Sequence, residues 1–441
     1  MPQWGIEPVP ERLRVLGVFD TFLLWTNIGI SILVLVSAAY LGLSLKQALL
    51  ATVVGGVVGC AMLGVAGLIG ADARVPTMVL HRAPLGRRGS YLPTVLNIAQ
   101  NFGWTIFEVI VIATAASALV HRAFSVNVPS SVWKVIFGLF TTALALLGPI
   151  GVVRRYLRKF AAWAAGASIL YLAWWIPAHA HLHALWRSGA HTGSFFAGTD
   201  LIIALSVSWI PLVADYTRFS TTRRAGFWGA GGGYLFPTLF QFGFGAILVL
   251  SHPSISSPVD FFVVIAAGGI AAFGALLALT VDETDTAFAD VYSTAVSIQN
   301  LLPRVPQRLL IAACGVGATL CTLALDLTRY PQFLYLLGAF FVPLFGVLLA
   351  DWLQHGMHYT EADIFRAPAF RPGMVLAWLC GFALYEWLAQ STGLGFWTHF
   401  LAKLHPLHSQ IGASLPSFAL SFVLATIVSL VARRGVLATA S

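Results

Sequence analysis

The sequence predicts an all-α polytopic membrane protein of twelve transmembrane spans, and three observations carry that prediction. Hydrophobic residues fill 58% of the 441 positions and charged residues 10%. The mean hydropathy is +0.83, which suits a bilayer rather than two or three soluble domains. Apolar runs also recur along the whole chain, each near the ~20 residues that cross a bilayer as a helix. Twelve are centred near residues 31, 59, 106, 141, 169, 206, 239, 286, 316, 340, 384 and 423, and a further run at 253–270 reads as a re-entrant or surface helix leading into span 8. The third observation is charge placement. With the N-terminus inside, one side collects Arg12 and Arg14; Arg74, Arg82, Arg87 and Arg88; Arg154, Arg155, Arg158 and Lys159; Arg218, Arg223 and Arg224; Arg304 and Arg308; Arg366 and Arg371; and Arg433 and Arg434, which is 19 of the 25 Lys and Arg. That asymmetry obeys the positive-inside rule, puts both termini in the cytoplasm and accounts for the net charge of +8 without a nucleic-acid partner.

Residues 1–18 form a polar cytoplasmic segment without the apolar core of a signal peptide, so span 1 is expected to be retained. Span 1 carries Trp25, Thr26, Asn27, Gly29 and Ser31 in its first half. Asn27 and Gly29 are weak helix formers, and both a local unwinding and ordinary small-residue packing fit them. Span 2 is lined with glycines from Gly55 to Gly70, a face for close helix contact, and the loop Asp72 to Tyr91 is basic. In span 3, Trp104 and Glu108 lie four residues apart and share a helical face. They could stack and read a flat ring, or be a packing Trp beside a paired Glu.

The loop after span 5 holds His179, His181, His183 and His191, but supplies no acid or cysteine to complete a metal site. Span 6 is interrupted at mid-depth by Ser206, Ser208, Trp209 and Pro211. Pro211 lacks a backbone donor, and irregular backbone at that depth is tolerated where it is buried in protein or lines a cavity. Spans 1 and 6 thus both carry breaks, five spans apart. Five is odd, so a second five-span unit would run in the opposite direction, the pattern of an inverted repeat with its site near the midplane.

Span 8 holds the largest anomaly, T-V-D-E-T-D-T-A-F-A-D-V-Y-S-T at Thr280 to Thr294, with Asp282, Glu283, Asp285 and Asp290. At about 2.5–3.5 kcal/mol each near the bilayer centre, four acids would cost roughly 10 kcal/mol or more if they faced lipid. They are expected to face a wet cavity, a cation, a basic group or one another, in the working site of a transporter. Spans 9 to 12 offer less chemistry, Glu386 being the one acid of the last two. The four cysteines fall inside spans and suggest no disulfide framework, and no P-loop is present.

Several segments in order resemble the nucleobase-cation-symport family, the purine, cytosine, allantoin and hydantoin permeases. They are G-I-E-P-V-P-E-R at Gly5 to Arg12, V-P-T-M-V-L-H-R-A-P-L-G-R-R-G-S-Y-L-P at Val75 to Pro93, G-W at Gly103, S-W-I-P-L-V-A-D-Y-T-R-F at Ser208 to Phe219, and A-D-V-Y-S-T-A-V-S in span 8. The resemblance runs to about residue 352 and implies a LeuT-type fold, a 5+5 inverted repeat plus two C-terminal helices. The implied units are 19–178 and 198–350 for the repeats, 351–373 for a cytoplasmic loop, and 374–441 for two extra spans and a short tail. It further implies a planar heterocycle held between Trp104 and Trp209, with Glu108, Asp290 and Asn27 as further substrate contacts. Glu108 stands where the family often has an amide. A cation site is implied at Gly29 and Ser31 of span 1 and at Thr284, Asp285 and Asp282 of span 8. The acid beside Thr284 departs from a purely hydroxyl pattern and leaves Na+ or H+ coupling open.

The expected function is import of a nucleobase-like ring by alternating access in the plasma membrane. Carboxylates suit an edge with adjacent donors, which favours cytosine or hydroxymethylpyrimidine; span 8 looks like the hydroxymethylpyrimidine-transporter branch. The same fold carrying allantoin, hydantoin, a purine or an amino acid is the alternative, and a membrane-embedded metalloenzyme a more distant one. No enzymatic activity and no cofactor beyond the coupling ion are expected. The expected partners are the small heterocycle and the lipid bilayer, with the chain a monomer or weak oligomer.

Overall fold

Within a bilayer every backbone N–H and C=O has to be paired inside the protein, and for apolar runs of this length the helix does so segment by segment. The computed structural model describes residues 5–152, 162–189, 193–252, 268–325, 330–389 and 412–440, with isolated positions between them. The helices are α1 (Val18–Gly29), α2 (Ile32–Ser37), α3 (Leu45–Ala73), α4 (Thr77–Leu80), α5 (Arg82–Leu85), α6 (Tyr91–Phe124), α7 (Ser130–Val152), α8 (Ala162–Ala178), α9 (Leu182–Arg187), α10 (Phe195–Val207), α11 (Ile210–Thr217), α12 (Arg223–Phe227), α13 (Gly233–Ser251), α14 (Ile270–Leu301), α15 (Gln307–Thr322), α16 (Tyr330–Gln354), α17 (Glu361–Phe365), α18 (Pro372–Ala389) and α19 (Ser414–Ala440). Among the described residues no strand forms; Leu16 and Ser220 make an isolated parallel bridge.

Among the described residues eight helices are long and apolar enough to cross a membrane, and the bent pair α1 and α2 makes nine. The other three expected spans also fall on helices. α8 and α15 are short, at 17 and 16 residues, and α14 runs 32 residues but carries the four acids. Arg154, Arg155, Arg158, Lys159, His191, His405, His408 and most of the run at 253–270 lie outside the described residues.

α3 packs on α10, α11, α12 and α13, and α1 packs on α13, so spans 1, 2, 6 and 7 form one group. α6 and α14 pack together and contact α7, while α15 packs on α7 and α14, giving a second group of spans 3, 4, 8 and 9. α16, α18 and α19 associate with one another, and α10 contacts α16. The close approach of α3 to span 6 depends on missing side chains: a Cβ on Gly70 would lie 2.5 Å from Ala214 Cβ and 2.6 Å from Thr217 Oγ1.

The two expected breaks differ. α1 and α2 meet at 59°, with Ile30 extended at φ −80°, ψ 98°. In span 6, Ser208 and Trp209 stay in the helical region of backbone space, so this is a shift in hydrogen bonding rather than an unwound segment. Pro211, near the start of α11, supplies the reason, since it has no N–H to give.

At one end the N-terminal segment is tied to the group of spans 1, 2, 6 and 7, and Arg218 of that group reaches the other. Val9 N donates to Arg74 O at 2.9 Å, Leu16 N to Phe219 O at 3.1 Å and Thr221 N to Leu16 O at 2.9 Å. Arg218, wholly buried, donates to Gly5 O at 2.8 Å and to the Tyr292 hydroxyl at 3.0 Å.

His81, between α4 and α5, lies in this same region and is buried. Neither ring nitrogen has a hydrogen-bond partner among the described residues, and burial pushes the imidazole down to about 3. The unfolded chain therefore takes up a proton below about pH 6.5 that the folded protein refuses. Stability is expected to fall as pH drops from about 6.5, by up to about 1.4 kcal/mol per pH unit. Thermal unfolding between pH 7 and 5 tests this: His81→Leu should flatten the slope, and an unchanged slope would refute the assignment.

Candidate functional site

α14 meets the break in span 1 with two consecutive acids. Asn27 Nδ2 donates to Asp282 Oδ1 at 2.6 Å. Ser31 Oγ donates to Glu283 Oε1 at 2.6 Å, and the backbone N–H of Ile32 donates to Glu283 Oε2 at 2.8 Å. Gln241 on α13 closes the arrangement, its Nε2 donating to Gly29 O at 2.7 Å and its Oε1 accepting from Ser31 N at 3.1 Å. All of these side chains are buried. Breaking a helix frees backbone groups that need partners, and buried carboxylates need donors; each defect satisfies the other. A cavity of about 30 Å³ adjoins the break, with Ser31, Ile32 and Gln241 in its wall, comparable to the roughly 30 Å³ that one water occupies.

Thr284 Oγ1 donates to Val281 O of its own helix at 2.6 Å, which leaves its oxygen lone pairs able to accept or coordinate. The side chain of Asp285 lies outside the described residues.

Two turns further along, Asp290 meets Glu108 of α6 side chain to side chain. Both are buried, at 0% and 1% exposure. Neither Asp290 oxygen has a hydrogen-bond partner among the described residues, and two buried carboxyl groups that face each other repel while both are ionised, so a donor placed between them is favourable. The acids of span 8 are thus met by an amide, a hydroxyl, a backbone N–H and another acid.

α6 presents a polar ladder to the span 6 interruption. Gln100 Nε2 donates to Ser208 O at 2.8 Å, and Asn97 Nδ2 donates to Pro211 O at 3.3 Å and to Ser297 Oγ at 2.8 Å. Trp104 sits one turn beyond Gln100, and Trp209 directly follows Ser208, so this bond draws the two tryptophan-bearing segments together. Trp104 packs edge-on against Phe333, with centroids 5.3 Å apart and planes at 76°. Trp209 packs edge-on against Trp25 at 6.0 Å and 88°, and lies tilted against Tyr234 at 6.0 Å and 52°.

The family model for permeases of cytosine/purines, uracil, thiamine and allantoin matches residues 8–412. The chain belongs to this family. Members are membrane transporters, not enzymes. Among solved structures, the chain is similar to Mhp1, a nucleobase-cation-symport-1 family transporter, in a closed conformation with bromovinylhydantoin bound. That match has a TM-score of 0.79 at 16% identity and covers 99% of this chain and 96% of that one. The inward-facing conformation of Mhp1 matches with a TM-score of 0.72 at 16% identity, covering 98% and 94%. A manganese transporter of Eremococcus coleocola matches with a TM-score of 0.61 at 14% identity, covering 96% and 97%. These likenesses establish the LeuT-type fold. No curated protein sequence matches the chain.

In the structure the break of span 1 meets span 8, and span 3 meets span 6, through residues that the sequence does not single out. Asn27, expected at the substrate, bonds to Asp282, and Ser31 bonds to Glu283. Glu283 is one of four clustered acids, yet nothing in the spacing marks it as the one that meets the start of α2. Gln241 carried a weaker signal, a lone amide within an apolar run, and Gln100 stands among Asn97 and Asn101, so nothing in the sequence set it apart.

Proposed function

We propose that this permease is a secondary symporter importing a planar aminopyrimidine, cytosine or hydroxymethylpyrimidine ahead of other rings, coupled to Na+ or H+. The observation that carries the reading is the Glu108 and Asp290 pair, one turn from Trp104 and joining the helices of spans 3 and 8. A ring stacked on Trp104 would turn its edge toward these acids. An amino group beside a protonated ring nitrogen offers the adjacent donors that a carboxylate accepts. The family description, which includes cytosine and thiamine permeases, supports the substrate class.

Coupling follows from the acids of α14. Cation binding or proton transfer at Asp282, Glu283 and the span 1 break would change how firmly α14 holds α1 and α2. The two groups of spans would then rock about the bound ring. On this reading the protein lies in the cell membrane with both termini in the cytoplasm and works as a monomer or weak oligomer.

Uptake of radiolabelled cytosine and hydroxymethylpyrimidine into proteoliposomes, with Na+ and H+ gradients imposed separately, tests the proposal. One gradient is expected to drive accumulation. Glu108→Gln is expected to raise the KM for both aminopyrimidines about tenfold, the loss of one charge-assisted bond. Folded protein that accumulates neither ring under either gradient would rule the substrate assignment out.

A further inference from the structure

A cavity of about 590 Å³ lies between α6 and α16, separate from the acids and from the break in span 1. Its wall is apolar, including Leu96, Phe107, Leu337 and Phe340, and Gln100 is its one polar lining residue among the described residues. Gln100 is itself 1% exposed. The bond from Nε2 to Ser208 O fixes which way this amide is turned, because a carbonyl accepts only from the nitrogen. Its Oε1 is then left without a hydrogen-bond partner among the described residues. A buried acceptor in an apolar cavity is unfavourable until a donor arrives.

Phe333 stands between this space and Trp104, touching both. An edge of its ring lies against α6, where a Cβ on Gly103 would come within 2.9 Å of it. It contacts Trp104 at 5.3 Å and Phe107 at 5.2 Å, and it also lines the cavity. Glycine at position 103 is what allows the ring to rest there.

We infer that the α6–α16 cavity is a second binding site for the same flat heterocycle, in which the ring lies on apolar side chains and gives a hydrogen bond to Gln100 Oε1 one aromatic ring away from Trp104. Phe333 is the gate between the two positions. The volume falls in the range of about 300–1,000 Å³ usual for small-molecule sites, and an apolar wall with one placed polar group is their usual chemistry. A lipid tail would fill the space but leave the Gln100 acceptor unanswered. The inference rests on the proposed heterocycle substrate, and its test separates the two.

Equilibrium binding of radiolabelled hydroxymethylpyrimidine and cytosine to the full-length protein in lipid nanodiscs is the experiment. The wild type is expected to bind two ligands per chain. Trp104→Ala should leave one, and Ala99→Trp, which fills the cavity from an exposed lining position, should also leave one while slowing uptake at low substrate about tenfold. Leu336→Trp fills the same space from α16 and serves if Ala99→Trp does not fold. One ligand per chain in the wild type, unaffected by either filling substitution, overturns the second site and leaves the Trp104 site standing. So does a tightly bound acyl chain that the filling substitutions expel without changing ring binding. If no ring binds to folded wild-type protein, the second site and the substrate assignment fall together.

Discussion

Glu283→Gln is expected to reduce gradient-driven uptake about 100-fold while the protein still folds. Glu283 uses both carboxylate oxygens, one for the Ser31 hydroxyl within the break and one for the N–H of Ile32, the first residue of α2. Glutamine offers one acceptor and one amino group. Whichever way it turns, an N–H faces a group that was donating, and only the hydroxyl can reverse its role. One charge-assisted bond is lost and the other becomes neutral, a change of about 2–3 kcal/mol that corresponds to about 100-fold. If α14 holds the break as part of coupling, the residual uptake should no longer respond to the driving gradient. A clasp that only stabilises the fold would instead lower the unfolding temperature and leave gradient dependence intact, so both measurements belong together.

Trp104→Ala is expected to raise the substrate KM by 10- to 100-fold. Stacking of a base on an aromatic side chain contributes about 1–3 kcal/mol by alanine substitution, and Trp104, 5% exposed, sits beside both the Glu108 carboxyl and the Phe333 ring. Trp104→Phe keeps an aromatic face and should recover most of the affinity. Truncating a buried Trp also costs packing, so the unfolding temperature is measured in parallel. Equal KM values for wild type and Trp104→Ala would exclude Trp104 as the stacking platform, whatever the stability change.

The contrast between these two residues explains how far the sequence could be read. Trp104 and Glu108 lie four apart on one helix, and local periodicity alone puts them on one face. Glu283 and Ser31 are 252 positions apart, and no local rule connects them. Likewise the residues around Pro211 announced an interruption of span 6, because a missing N–H is a property of the residue itself. Which amides bond the carbonyls of this segment, Gln100 at Ser208 and Asn97 at Pro211, depends on how α6 crosses α10 and α11.

Acids in a lipid-spanning run also have a general consequence that composition alone reveals: they require partners. Their number and place were therefore legible, and so was the inference of a working site. Which partner each acid takes was not legible, because a carboxylate accepts equally from an amide, a hydroxyl or a backbone N–H.

By itself the sequence determined the membrane class, the positions of the spans, the two interruptions and the acidic character of span 8, since hydropathy, helix-breaking residues and buried charge act locally along the chain. Only the tertiary structure decided that Glu283 and Gln241 close the break in span 1, that Asp290 meets Glu108, and that a cavity lies beyond Phe333. Those features arise where side chains from distant spans converge, and their hydrogen bonds exist only once packing has brought donor and acceptor within reach.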